Sequence, residues 1–194
     1  MKIDMQLLAP AALALLTALV VSFLMTPVVK SFAYKVGAID VPKDERRMHH
    51  KPIPRLGGLA IFAGFMASIL LFVDIRLNPQ MQSILLGVVI IVVLGVVDDI
   101  MALPAKLKFV VQIGAALIPA LNGVSIQALS NPNIFSPDAY WVLDWLSIPV
   151  TVLWIVGITN AVNLIDGLDG LANGVSAISA ATVLAIALIC SEAQ

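Results

Sequence analysis

The chain has 194 residues, of which 60% are hydrophobic and 12% are charged, and its formal net charge is −1. Its mean hydropathy of +1.02 lies outside the range of ordinary soluble globular domains and excludes that class. The composition predicts an integral membrane protein, and no nucleic-acid partner is expected.

Six apolar segments follow one another and predict an all-α, polytopic membrane fold, with about six transmembrane helices in a single domain over residues 1–194. The segments are 7–29, 56–73, 81–97, 107–121, 146–162 and 171–189. The first is long enough to be a retained helix instead of a signal-peptide core. The fourth has only 15 residues and contains Lys108, Gln112 and Pro119, which predicts a longer helix, a kink or a position that lines a cavity.

The distribution of Lys and Arg predicts the orientation, because short loops rich in these residues stay in the cytoplasm. Nine of the eleven fall on one side of the predicted spans, in the loops after segments one and three or just inside segment four. The opposite side has Lys2 and Arg76, and its loop 122–144 contains Trp141 close to a predicted interface. The N-terminus is therefore predicted outside, with the loops after segments one, three and five in the cytoplasm.

The first polar feature on the predicted cytoplasmic side is K-P-I-P-R-L-G-G, residues 51–58. Its prolines favour an extended approach, and Gly57-Gly58 opens the next helix where a ligand can approach the backbone closely. Lys51 and Arg55 are candidate phosphate ligands. Basic residues beside anionic lipid headgroups are equally expected in any inner-membrane protein, so both interpretations stay open.

The second feature is the pair Asp98-Asp99, which follows the third apolar segment without a spacer. Two carboxylates at a helix C-terminus oppose the macrodipole unless a cation compensates them. They are suited to hold a divalent cation or to accept a proton, and a solvated helix end is the alternative. Lys106 and Lys108 follow shortly and are candidates to neutralise a diphosphate, unless they only extend to the membrane interface.

The third feature is N-A-V-N-L-I-D-G-L-D-G, residues 160–170, where amides and carboxylates recur at every third position as Asn160, Asn163, Asp166 and Asp169. Such groups beside membrane sequence are unfavourable unless something binds them. The nearby glycines predict a tight loop around the two aspartates. An ordinary polar connection with local backbone bonds is the alternative, but three such features on one face indicate a site.

The motifs H-K-P-I-P-R-L-G-G-L-A-I-F, G-V-V-D-D and W-I-V-G-I-T-N-A-V-N-L-I-D-G-L-D-G-L-A closely resemble those of the polyprenyl-phosphate N-acetylhexosamine-1-phosphate transferases. P-R-L-G-G is more similar to the undecaprenyl-phosphate GlcNAc-1-phosphate branch than to the phospho-MurNAc-pentapeptide branch, where Thr and Met are usual at Arg55 and Leu56. The resemblance implies about ten helices. We therefore expect an N-terminal portion of a longer transferase that lacks a later Gly-Asp-x-Gly-Ser type motif, whose Asp is a magnesium ligand in the family.

The resemblance implies that N-acetylhexosamine-1-phosphate passes from a UDP-sugar to undecaprenyl phosphate with release of UMP. The reaction would take place at the cytoplasmic face of the bacterial inner membrane, as the first membrane step of a cell-wall polymer such as teichoic acid or O-antigen. The implied cofactor is Mg²⁺, with Mn²⁺ as a substitute. The implied partners are UDP-N-acetylhexosamine, undecaprenyl phosphate, the lipid bilayer and a second copy in a homodimer.

Site roles carried over from the resemblance divide between the two substrates. Asp98 is the candidate to deprotonate or orient the lipid phosphate, with Asp99 as its catalytic neighbour. Asn163 is the candidate Mg²⁺ ligand. The nucleotide-sugar pocket is assigned to Asp166, also counted as catalytic, together with Asp169 near the uridine and Asn160. Lys51, Arg55 and Lys106 are the candidate phosphate ligands.

Three other hypotheses compete with this interpretation. An ion-coupled transporter also uses carboxylates and broken helices, but it predicts ionisable groups near the middle of the bilayer. A CDP-alcohol phosphatidyltransferase needs Ala-Arg shortly after Asp-Gly, whereas Leu168-Asp169 follows here. The third is an inactive fragment of the transferase.

Overall fold

The computed structural model describes residues 5–40, 52–74, 78–133, 135–168 and 170–191, and within these ranges it is built from six α-helices and two small antiparallel sheets. The helices are α1 (Met5–Val36), α2 (Gly57–Phe72), α3 (Pro79–Met101), α4 (Ala105–Leu121), α5 (Ser147–Ile165) and α6 (Leu171–Ser191). The sheets pair β1 (Ile39–Asp40) with β2 (Ile53–Pro54), and β3 (Ala128–Ser130) with β4 (Tyr140–Val142). Each predicted apolar segment corresponds to one helix, which confirms the mainly helical fold.

Four stretches of the described chain are long and apolar enough to cross a membrane: Ala9–Val36, Pro79–Met101, Asp144–Ile165 and Leu171–Ile189. The other two helices, α2 and α4, have 16 and 17 residues. At a rise of about 1.5 Å per residue they are roughly 24 to 26 Å long, shorter than the hydrocarbon core of about 30 Å. The count of six spans and the outside N-terminus stay predictions.

The ends of α3 are fixed by local hydrogen bonds, and the helix is longer than the apolar run that predicted it. At its start, the Asn78 side chain accepts the Met81 N–H at 2.9 Å. At its end, Ala102 adopts a left-handed conformation with φ 50° and donates its N–H to the Asp98 carbonyl at 2.8 Å. Asp98 and Asp99 therefore lie within the last turn of the helix.

The first helix also continues beyond the predicted segment, to Val36. Its added turns contain Lys30 and Lys35, whose long stems can lie along apolar surface while the charges reach water. Gly37, with φ 76°, ends the helix, and the Ala38 N–H returns to the Ala33 carbonyl at 3.0 Å, as in a Schellman cap. This turn leads directly into β1.

Close contacts between backbones join the helices in pairs. A Cβ atom at Gly64 of α2 would collide with the Ala18 carbonyl of α1, and one at Gly87 of α3 would lie 2.8 Å from the Ala115 carbonyl of α4. Small residues at such positions are typical of membrane helix packing, where backbones approach each other closely. The Ser68 hydroxyl adds a hydrogen bond of 2.9 Å from α2 to the Ala14 carbonyl.

The buried apolar cluster lies where the end of α1 meets the start of α2, and it consists of Val29, Ala33, Ala38, Leu56 and Ala60. The fourth helix packs against both α3 and α5. By contrast, α6 contacts α5 over a short stretch only, and Ala172 is the buried residue of its described side chains. Buried residues also lie in the first half of α3 and the second half of α4, so the packing extends along the molecule, and the apolar cluster marks the end where α1 and α3 finish.

Candidate active site

A cleft of about 250 Å³ opens at this end of the molecule, between the start of α2, the last turns of α3 and the turn after α5. Its lining residues are Arg55, Leu56, Gly58, Leu59, Val92, Gly95, Val96, Asp99 and Asp166. One charged residue comes from each of the three polar features found in the sequence. The structure therefore brings Arg55, Asp99 and Asp166 together, although they are far apart along the chain.

Arg55 is positioned at the rim of the cleft by the β1–β2 pairing. Its backbone N–H donates to the Ala38 carbonyl at 3.0 Å, and its guanidinium donates to Asp40 Oδ1 at 2.8 Å. The Arg55 side chain is still 42% exposed. Since a guanidinium has five N–H donors in a planar fork, donors other than the one used by Asp40 are available to an anion.

The two adjacent aspartates of α3 face different surroundings. Asp98 Oδ1 accepts the Leu103 N–H at 2.9 Å, and Asp98 Oδ2 pairs with Lys108 Nζ at 3.0 Å. Successive helical residues project about 100° apart, and Asp99 lines the cleft. The sequence indicated that a cation is needed to compensate the two carboxylates at this helix C-terminus. For Asp98, that cation is the ammonium of Lys108.

Asp166 belongs to the turn that connects α5 to α6. The fifth helix ends at Ile165, and Asp166 leaves helical geometry with ψ 56°. Gly170 has φ 78° and its carbonyl accepts the Gly174 N–H at 2.8 Å, inside the first turns of α6. The predicted tight loop is confirmed for Asp166, whereas the prediction for Asp169 lies outside the described residues.

The amide residues of the same motif lie on α5, before the turn. Asn160 Nδ2 donates to Gln112 Oε1 of α4 at 2.7 Å and to the Val156 carbonyl at 2.8 Å. Both protons of this amide are engaged, so Asn160 has its Oδ1 acceptor to offer a ligand. Asn163 is exposed in the last turn of α5 and is not among the residues that line the cleft.

The basic candidates are divided between described and undescribed parts of the chain. Lys106 is exposed in the first turn of α4, and Lys51 lies outside the described residues.

Two contacts at the site were not predicted from the sequence. Asp40 was missed as the partner of Arg55, and no pattern around Asp40 signals that contact. Gln112 was noticeable as an amide inside an apolar segment, but its partner Asn160 is 48 residues away and only the folded chain reveals the pair.

The donor set of the cleft is compatible with a hard divalent cation. Within the described ranges, no group of three or more His, Cys, Asp or Glu side chains converges to form a complete metal cage. Mg²⁺ is commonly held by one or two carboxylates together with substrate phosphates, and Asp99 and Asp166 line the same cleft. Two carboxylates at one cleft therefore fit the donor preference of Mg²⁺, without supplying a complete set of ligands.

The chain is similar in sequence to a known family and to several curated proteins. Residues 81–194 match the sequence profile of glycosyl transferase family 4. A probable undecaprenyl-phosphate N-acetylglucosaminyl 1-phosphate transferase of Bacillus subtilis is 45% identical over 149 residues, which are 77% of this chain and 40% of that protein. The decaprenyl-phosphate N-acetylglucosaminephosphotransferase of Mycobacterium tuberculosis is 35% identical over 154 residues, 73% of this chain and 38% of that protein.

A third relative, the decaprenyl-phosphate N-acetylglucosaminephosphotransferase of Mycolicibacterium smegmatis, is 33% identical over 158 residues, 77% of this chain and 38% of that protein. The chain thus spans about two fifths of the length of the curated relatives that it matches. No solved structure is significantly similar to it.

Proposed function

This chain belongs to glycosyl transferase family 4, and we propose that it supplies the phosphate-binding cleft of an enzyme that transfers N-acetylhexosamine-1-phosphate, most simply GlcNAc-1-phosphate, from a UDP-sugar to a polyprenyl phosphate. The curated relatives are named for undecaprenyl or decaprenyl phosphate as the lipid substrate. The apolar helices make the chain a multi-pass membrane protein, so a lipid substrate can reach it from the bilayer.

The observation that carries this proposal is the convergence of Arg55, Asp99 and Asp166 in one cleft. Phosphoryl transfer depends mainly on alignment and on neutralising charge at the phosphates. A planar guanidinium at the rim matches phosphate oxygens geometrically. When Mg²⁺ is bound, it would be held by Asp99 and Asp166, with Asn163 as a further candidate ligand, and it would neutralise charge that develops on the diphosphate.

The bond changes in the proposed reaction are those of a direct displacement. An oxygen of the lipid phosphate forms a bond to the β-phosphorus of the UDP-sugar, and the bond from that phosphorus to the bridging oxygen breaks. UMP leaves with the bridging oxygen, and the product is a lipid diphosphate sugar. If the attacking phosphate arrives protonated, Asp98 is the residue proposed to accept the proton or to orient the oxygen.

The Asp98–Lys108 pair supports a separate position for the lipid phosphate. Lys108 is 34% exposed, so its ammonium can bind an additional anion while one of its N–H groups stays bound to Asp98 Oδ2. The cleft side of α3, with Asp99, Asp166 and Arg55, then serves the nucleotide sugar. For the bond to form, the lipid phosphate and the β-phosphorus must meet beside the last turn of α3, where the two positions adjoin. Asp169, Lys51 and Lys106 remain proposed contacts to the uridine or to phosphates.

The cellular setting belongs to the same proposal. With the predicted orientation, the cleft faces the cytoplasm of the bacterial inner membrane, where UDP-sugars are available. The product would start a cell-wall polymer such as teichoic acid or O-antigen, and the enzyme would act as a homodimer. The family match favours the transferase over the ion-coupled transporter that the sequence left open.

The test uses a chimera in which this chain is continued by the part of the Bacillus subtilis relative that lies C-terminal to the matched region. The chimera is purified in detergent and incubated with UDP-GlcNAc, Mg²⁺ and undecaprenyl phosphate. We expect UMP release that requires the lipid phosphate and stops when Mg²⁺ is chelated. The proposal is wrong if the folded chimera, which binds the lipid, releases no UMP from any UDP-N-acetylhexosamine. UMP release is also measured for the chain without the added part, which tests the hypothesis that the chain is an inactive fragment.

A further inference from the structure

The fourth helix is linked by polar side chains to the two helices that carry the cleft carboxylates. We propose that Gln112 is a positioning residue for the transferase reaction: through Asn160 it fixes the rotation and height of α5, and so the place of Asp166 relative to Asp99. This inference rests on the proposed function for its kinetic consequence, but its geometric consequence can be measured independently.

The first observation is that α4 makes a polar contact to each of its two neighbours near the cleft. Lys108 pairs with Asp98 of α3 at 3.0 Å, and Gln112 accepts from Asn160 of α5 at 2.7 Å. Positions four apart lie on neighbouring parts of one helix face. A single stretch of α4, about one turn long, therefore joins the last turn of α3 to the last turns of α5.

The second observation is that the Gln112–Asn160 contact has little freedom. Gln112 is 8% exposed, and Asn160 uses its second amide proton to bind the Val156 carbonyl of its own helix at 2.8 Å. A buried amide that loses its partner carries a desolvation penalty. The pair therefore favours one register between α4 and α5, whereas contacts between apolar side chains are less selective about sliding and rotation.

The third observation is the short distance along the chain from this contact to the cleft. Asn160 lies five residues before Ile165, the last residue of α5, and Asp166 follows at once. Fewer than two helical turns separate the contact from the carboxylate, so a rotation of α5 at Asn160 is transmitted to Asp166 with little loss. The role proposed for Gln112 is thus to hold one carboxylate of the cleft in register with the other.

The fifth helix has a second buried polar contact that provides a matched control. Thr151 is 4% exposed, and its hydroxyl accepts the Ile126 N–H at 2.8 Å at the opposite end of α5. Thr151→Val removes this contact with almost no change of volume. It tests whether the loss of any buried hydrogen bond on α5 has the same effect as the loss of the one beside the cleft.

The kinetic arm compares Gln112→Met with Thr151→Val in the chimera. We expect Gln112→Met to lower kcat by about 10- to 100-fold, as a misplaced reacting group does, and to raise the Mg²⁺ concentration needed for half-maximal rate. Thr151→Val should keep kcat within about twofold while it lowers thermal stability. Equal effects of Gln112→Met and Thr151→Val would show a merely structural role and overturn the inference.

The geometric arm needs no activity and uses the chain itself. Cys190→Ala removes the native thiol, and nitroxide labels are attached at Asp99→Cys and Asp166→Cys. Dipolar broadening in electron paramagnetic resonance then reports the spread of distances between the labels. We expect Gln112→Met to widen that spread and Thr151→Val to leave it unchanged; no widening with Gln112→Met contradicts the inference. If the spread widens but the unmodified chimera releases no UMP, the proposed function fails and the positioning role stands.

Discussion

The Asp98 carboxylate lies 3.0 Å from Lys108 Nζ, and this ion pair joins the last turn of α3 to the first turns of α4. Its neighbour Asp99 has a different role in the structure, because it lines the cleft with Arg55 and Asp166. Two adjacent carboxylates thus serve two surfaces of one helix end. In the proposed reaction, the lipid phosphate is bound at the Lys108 side and the nucleotide sugar at the Asp99 side.

Lys108→Met tests this division of the two substrates. Because the ammonium is proposed to bind the lipid phosphate, we expect KM for undecaprenyl phosphate to rise about 10-fold, the value of one charge-assisted contact, with KM for UDP-GlcNAc within about twofold. The pair is partly exposed, so the loss of stability should be about 1 kcal/mol or less. Lys35→Met, at the exposed end of α1, is the control. An equal rise of both KM values would contradict separate positions.

Arg55 and Asp40 give a second prediction, because they form an exposed ion pair in which only one partner lines the cleft. Arg55→Met should raise KM for UDP-GlcNAc by about 10-fold or more through the loss of a charge-assisted phosphate contact. Arg55→Lys should be intermediate, since it keeps the charge and loses the planar fork. Asp40→Asn should change KM by less than about threefold, as expected for an exposed pair. If Asp40→Asn raises KM for UDP-GlcNAc as much as Arg55→Met does, the effect comes from loss of the ion pair, which would contradict a direct phosphate contact by Arg55.

Helix packing gives a third prediction, measured by thermal unfolding of the chain in detergent. Gly64→Ala and Gly87→Ala place a Cβ against the backbone of a neighbouring helix, and such overpacking costs roughly 1–3 kcal/mol. Gly114→Ala is the matched control, because nothing lies within 4 Å of its added Cβ and alanine favours a helix over glycine by roughly 0.5–1 kcal/mol. Destabilisation by the first two and slight stabilisation by the third are expected. An equal change in thermal stability for all three variants would show that the close backbone contacts at Gly64 and Gly87 are absent in solution.

The orientation in the membrane is tested by cysteine accessibility in a Cys190→Ala background. The positive-inside distribution predicts that Ser136→Cys, in the loop between β3 and β4, reacts with an impermeant maleimide in intact cells. Lys106→Cys, at the start of α4, should react only after the cells are made permeable. The reverse pattern would place the cleft outside the cytoplasm and remove its access to cytoplasmic UDP-sugars.

The sequence was sufficient to predict the helical fold and to place the three polar features on one face, but it did not show that Arg55, Asp99 and Asp166 are the charged residues that line the cleft. Apolar runs identify helices reliably, but they do not show where a helix stops when polar residues extend it, as at Lys30 in α1 or Asp98 in α3. The contacts between Arg55 and Asp40 and between Gln112 and Asn160 were not predictable, since they depend on how separate segments pack. For the same reason the sequence did not show that the amide protons of Asn160 are bound to α4 and α5, and its role in substrate binding stays a prediction.

The central claim is that the cleft containing Asp99 performs phosphoryl transfer. The most direct measurement is the rate of UMP release from UDP-GlcNAc by the chimera with undecaprenyl phosphate, compared between Asp99→Asn and Asp138→Asn, an exposed aspartate in the loop after β3. We expect Asp99→Asn to lower kcat by about 100-fold or more, as the loss of one electrostatic group in a preorganised site does, without a change in thermal stability. Asp138→Asn should keep the full rate. A folded Asp99→Asn variant that releases UMP as fast as Asp138→Asn would contradict the account.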